Sequence, residues 1–78
     1  MAQFYFHCSS AEEILVDRRG SELQDVAEAH AKAKEIARTI MDTVTGLHDW
    51  RDWIVHVRDE SDDEIFVVPF GFLAGKPH

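Results

Sequence analysis

The sequence predicts a two-layer α+β domain in β-β-α-β-β order, with one long helix packed on one face of a four-stranded, mainly antiparallel sheet. Three observations carry this expectation. Residues 3–8 and 53–58 alternate along the chain with the two-residue period of a strand. Between them, apolar residues recur at intervals of three and four, which is the spacing of one helical face. Polar, glycine-bearing or acidic stretches separate these segments.

In the first strand Phe4, Phe6 and Cys8 share one face, and Tyr5 and His7 point to the other. Ser9-Ser10-Ala11 supplies a turn, and Glu13 to Asp17 forms a second, shorter strand around Ile14-Leu15-Val16 that should return along the first as a hairpin. Asp17-Arg18-Arg19-Gly20 breaks that strand, with Gly20 free to adopt a positive φ. Asp25 followed by Val26-Ala27-Glu28 is a variant capping box and starts the helix. The helical stripe comprises Val26, Ala29, Ala33, Ile36, Ala37, Ile40 and Val44, and Gly46 with Leu47 should close the helix after about 20 residues. So narrow and alanine-rich a stripe lets a sheet approach closely.

Trp53, Val55 and Val57 alternate with Ile54, His56 and Arg58 in the third strand, and Asp59 to Asp63 turns the chain. Ile65 to Phe70 is apolar on both sides, as in a central strand, although Pro69 lacks an amide donor and belongs near a strand end or on an unpaired edge. One domain over residues 1–70 and a tail over 71–78 account for the chain. Bulky residues complement the small helical stripe, so Phe4, Phe6, Cys8, Val55 and Val57 should lie beneath the helix with Phe70 at their edge. Tyr5, His7, Ile54, His56 and Arg58 then fall on the open face.

Composition narrows the function. With 78 residues, 45% hydrophobic and 29% charged, the chain is one globular unit, and a unit this small is marginally stable unless a metal, a disulfide or self-association adds to it. The single cysteine, Cys8, cannot form an internal disulfide and suits a reducing compartment. No run approaches the length of a membrane span and no leader precedes Gln3, so a cytoplasmic location is expected. A net charge of −7 should repel phosphate backbones and anionic membranes, and Arg18-Arg19 is the only adjacent basic pair. Neither nucleic acid nor membrane is an expected partner.

The opening Phe4-Tyr5-Phe6-His7, the turn Asp17-Arg18-Arg19-Gly20 followed by Glu22-Leu23 and Asp25, the alanine-rich helix and the closing Val68-Pro69-Phe70 resemble a family of small bacterial proteins of unknown function. The resemblance covers nearly the whole chain. In that family the last hairpin typically reads Asp-x-x-Gly, whereas Asp59-Glu60-Ser61-Asp62-Asp63 has no glycine. The resemblance implies the fold and brings no reaction, ligand or catalytic residue.

His7 and His56 have matching strand parity, and two imidazoles side by side could bind a metal or form a pH-sensitive contact. Zinc wants further ligands, however, and Cys8 points away from His7. The run Asp59, Glu60, Asp62, Asp63, Glu64 fails the calcium-loop pattern, because Glu64 stands where glycine is required and Phe70 where a bidentate glutamate is required. A buried Cys8 is an inert core thiol. No nucleophile elbow, phosphate loop or dinucleotide fingerprint is present, and nothing in the sequence gathers a nucleophile, a base and an orienting group. Neither enzyme activity nor a cofactor is expected.

Trp50 and Trp53 flank Arg51 and Asp52, either as an anchor for a partner or as covers for the core and the helix end. Phe72 and Leu73 make the tail too apolar to remain solvated without consequence. The leading expectation is a non-catalytic interaction module that joins two copies as a homodimer, or one copy and another protein. Its contact residues would be Tyr5, His7, Ile54, His56, Arg58, Trp50, Phe72 and Leu73. The alternative is a small-ligand- or metal-responsive domain using the His7 and His56 face.

Overall fold

The computed structural model describes residues 2–43, 50 and 52–72. Its elements are β1 (Ala2–Ser9), β2 (Ile14–Leu15), β3 (Ser21–Leu23), α1 (Val26–Thr43), β4 (Ile54–Arg58), β5 (Glu64–Pro69) and a 3-10 turn at Phe70–Phe72. The sheet order is β2-β1-β4-β5, with β3 also paired to β1 and every pairing antiparallel. This is the expected α+β fold, with one strand more than the sequence announces.

The extra strand has a simple origin. β2 pairs with Cys8 and Ser9, whereas β3 pairs with Ala2, Gln3 and Phe4, so the two run along the same edge of β1. They form a single lane interrupted by the loop from Val16 to Gly20. Asp17 does break the strand as expected, but the strand resumes at Ser21. Five strand segments therefore occupy four lanes.

The loop is held by specific bonds. Gly20 has φ 74°, and a Cβ there would meet Gln3 Nε2 at 2.7 Å, Tyr5 Cε2 at 2.8 Å and the Phe4 carbonyl oxygen at 2.9 Å. Only glycine tolerates both the left-handed backbone and that approach. Asp17 spans the interruption: its Oδ2 accepts the Phe6 N–H at 3.1 Å, and its Oδ1 accepts the N–H groups of Arg19 and Gly20 at 3.1 and 3.0 Å. A carboxylate thus supplies the acceptor that a neighbouring strand supplies elsewhere.

Helix α1 starts as its cap predicts. Asp25 Oδ1 accepts the Glu28 N–H at 2.9 Å, and Glu28 Oε1 accepts the Gln24 N–H at 2.8 Å. Ala29, Ala33 and Ala37 are fully buried, while Ile36, Ile40 and Met41 flank them. Val26 departs from the expected stripe: as the first residue of the helix it is exposed, and the buried positions begin at Ala29. The expected helix end at Val44, Gly46 and Leu47 lies outside the described residues.

The helix covers Phe4, Phe6, Cys8, Val55 and Val57, all of them buried. Phe70 is more central than its expected place at the edge. It is completely buried, stacks on Trp50 at 5.5 Å between ring centroids and meets Trp53 at 5.7 Å. Its N–H donates to the Trp53 carbonyl at 2.9 Å, which ties the end of β5 to the start of β4.

β5 is an edge strand, not a central one. Its apolar residues divide between the covered side, where Val68 is buried and Phe66 half-buried, and the exposed Ile65 and Val67. Pro69 ends this edge strand, as its missing donor requires. The hairpin between β4 and β5 manages without glycine because Asp62 takes the left-handed φ of 65°. Asp59 organises the turn, its Oδ1 accepting the N–H groups of Ser61 and Asp63 at 2.9 and 3.0 Å.

Candidate functional site

The candidate site is the open face, and strand register fixes its layout. Tyr5 lies opposite Arg58, His7 opposite His56 and Ser9 opposite Ile54. Beyond them His56 faces Val67 and Ile54 faces Pro69, while Ile14 lies beside Ser9 on the other edge. Cross-strand partners share a face, so each row runs across the open side of the sheet.

A bulge alters the last row. Val57 pairs with Phe66, but Arg58 pairs with Glu64, so Ile65 is the additional residue in β5. Simple alternation would put Glu64 beneath the helix with Phe66 and Val68. The bulge instead brings Glu64 to His56 and Arg58, with Oε1 2.8 Å from His56 Nδ1 and 3.8 Å from Arg58 Nη2.

On its other side His56 Nε2 lies 2.8 Å from Ser9 Oγ. Ser9, His56 and Glu64 form a continuous chain of two hydrogen bonds across three strands. A glutamate carboxylate can only accept, so Nδ1 carries a proton, and whenever the ring holds no second proton Nε2 accepts the Ser9 hydroxyl. Here the fold does gather a hydroxyl, an imidazole and an orienting carboxylate, which the sequence does not reveal.

His7 and His56 are direct cross-strand partners, as parity suggests. Their bonds lead elsewhere. His7 Nδ1 accepts the Asp17 N–H at 3.0 Å, and both His56 nitrogens are engaged by Ser9 and Glu64. Three of the four ring nitrogens are thus used within the fold. Among the described residues no group of three or more His, Cys, Asp and Glu side chains is placed to hold a metal ion.

Beside His7 lies a shallow hollow of about 430 Å³, lined by Tyr5, His7, Val16, Asp17, Arg18, Asp59, Glu60 and Asp62. Burial alone would raise the Asp17 pKa. The N–H groups of Gly20, Phe6 and Arg19 together with the charge of His7 outweigh that burial and hold the carboxyl below its ordinary range. The Cys8 thiol is buried on the covered face, and desolvation followed by repulsion from Asp17 pushes its pKa up to about 11. It is a core thiol without thiolate character at neutral pH.

The remaining candidates separate. Arg58 bonds the Asp62 carbonyl at 2.9 Å and belongs to the hairpin as well as the face. Trp50 joins the aromatic group around Phe70 and Trp53. Phe72 is 72% exposed, and Leu73 lies outside the described residues. Ser9, Asp17 and Glu64 are the members the sequence does not single out. Ser9 shares the parity of Tyr5 and His7 and could have been found by extending the alternation one step. Glu64 could not, because its face depends on the bulge.

These features define a class: a one-helix α+β domain with an alanine-lined covered face and an open face rich in polar groups. The chain belongs to the DUF6894 family, a domain of unknown function, whose model matches residues 3–71. No curated protein and no solved structure gives a significant match. No helix among the described residues is long and apolar enough to cross a membrane.

Proposed function

We propose that the domain is a self-associating, non-catalytic interaction module whose open sheet face, together with the tail from Gly71, receives a second copy of the chain. The observation that carries this reading is the apolar border of the open face. Ile14, Val16 and Val67 are 65%, 54% and 42% exposed around the half-buried Ile54 and Pro69. Antiparallel sheets commonly leave one face in water, but that face is then polar along its whole width. Aliphatic residues on both flanks of one face mark a contact surface.

The chain carries −7 overall, and on this face Arg58 lies between Asp62 and Glu64, so its cation offsets part of that charge where two copies would meet. Association also supports a domain whose own core is limited by its size.

Light scattering across a dilution series tests the proposal. The full chain should pass from dimer to monomer on dilution, and Val67→Glu should raise the dissociation constant by on the order of tenfold or more, since it buries a charge at the contact. A chain that remains monomeric throughout the series overturns the reading. So does a dimer indifferent both to Val67→Glu and to removal of residues 71–78.

A further inference from the structure

We propose that Ser9 is an activated nucleophile, a modification site that accepts a single acyl group from an activated ester or thioester. The Ser9, His56 and Glu64 chain lies on the same open face that a second copy would cover, so the acylation belongs to the monomer. A serine hydroxyl is a weak nucleophile unless a base removes its proton as it attacks. His56 Nε2 is 2.8 Å from Ser9 Oγ, within proton-transfer distance, and Glu64 at 2.8 Å from Nδ1 fixes the tautomer that leaves Nε2 able to accept.

All three groups stand on paired strands, so their spacing is set by the ladder. Ser9 ends β1 opposite Ile54, two residues before His56 on β4, and Glu64 begins β5 opposite Arg58. Ser9 and His56 are half-buried and Glu64 is exposed on the uncovered face, where a small acyl donor can reach them. Cys8, the chemically stronger nucleophile next door, is buried on the other side with a raised pKa.

Ser9 Oγ attacks the acyl carbon and forms a carbon–oxygen bond while its proton moves to His56 Nε2. The bond from that carbon to the leaving oxygen or sulfur then breaks with its electron pair. His56 Nε2 returns the proton to the departing phenolate or thiolate, leaving O-acyl-Ser9, a free phenol or thiol, and a neutral imidazole.

Slow turnover is expected, because the amide next in sequence to Ser9 is not free to stabilise a developing oxyanion. The neighbouring Ser10 N–H is committed to the Glu13 carbonyl at 2.9 Å. One oxyanion donor is worth about 10²–10³ in rate, which an acyl-serine needs again for hydrolysis. Only donors with good leaving groups acylate the site, and the ester then persists.

The test uses the full chain with p-nitrophenyl acetate, at a dilution where light scattering finds monomer. Peptide mapping by mass spectrometry follows acetylation at Ser9 separately from lysine labelling. Ser9 should be acetylated once. His56→Gln should slow labelling at Ser9 by about 10²-fold, the usual share of a general base, with labelling of the lysines unchanged. In the wild-type chain the rate at Ser9 should level off at alkaline pH once the imidazole is neutral, with His7, Arg58 and Glu64 as its charged or titratable neighbours. An unassisted hydroxyl would instead keep accelerating with hydroxide. This pH profile needs no variant and settles the matter should His56→Gln unfold. An unmodified Ser9 beside labelled lysines, an equal rate in His56→Gln, or a profile without a plateau overturns the proposal. Release of more than one equivalent of p-nitrophenol through Ser9 overturns the single-acylation step.

Discussion

The covered face of the sheet presents Phe4, Phe6, Cys8, Val55 and Val57 to three buried alanines, whereas on the open face the alternate residues Tyr5, His7, Ser9, His56 and Arg58 meet one another and the adjoining loops. Both sets come from the same two strands. On the covered face the interactions are non-directional, and what matters is the volume that fills the space left by Ala29, Ala33 and Ala37. On the open face they are directional, His7, Ser9, His56 and Arg58 each having a named partner within about 3 Å. The first arrangement is costly to hollow out, and the second is costly only where removal leaves a partner unsatisfied.

The largest effect should come from the covered face. Phe6→Ala removes a side chain that is 4% exposed and should destabilise the domain by about 3–5 kcal/mol in denaturant unfolding. A loss no greater than that of an open-face truncation would erase the distinction between the faces. Gly20→Ala tests a place where the open side is tightly packed. Its new Cβ would press on Gln3 and Tyr5 from a left-handed backbone, and the cost should be roughly 2–3 kcal/mol. Unfolding that matches the parent chain would mean that the loop moves aside.

Asp17→Asn should have the smallest effect, about 1–2 kcal/mol near neutral pH, through weakened acceptance of three backbone N–H groups. Its pH dependence is more diagnostic. Because the folded-state pKa is lowered, the stabilisation is complete above the unfolded carboxyl value near ~4 and is lost as pH falls through the folded value. Melting temperatures measured from neutral to acid pH should therefore fall less steeply in the variant than in the parent. Parallel curves would assign the acid sensitivity to other carboxylates.

Much of the fold is legible in the sequence because it depends on period. Alternation assigns Phe4, Phe6, Val55 and Val57 to one face, and the Asp25 and Glu28 pair marks the start of the helix. What escapes depends on contacts between distant residues or on a shift in register. β3 is hidden because three residues after Gly20 are too few to show alternation, and only their pairing with β1 makes them a strand. β5 reads as central because its two sides are both apolar, although only one is covered. The site is less legible than the fold for the same reason. His7 and His56 can be paired by parity, but the bonds that commit them run to Asp17, Ser9 and Glu64, and Glu64 arrives through a bulge that no pattern announces.

The two lateral margins of the sheet are both unsuited to growth. One is a lane broken by the Asp17 loop, and the other is a six-residue strand that stops at Pro69. A strand from another molecule would find no long, uninterrupted row of amides and carbonyls on either side, and proline cannot donate to it. Stacking edge to edge into fibres is thereby discouraged even though aliphatic side chains lie near both margins. The proposed contact through the broad side would, if twofold, close on itself and leave nothing to propagate.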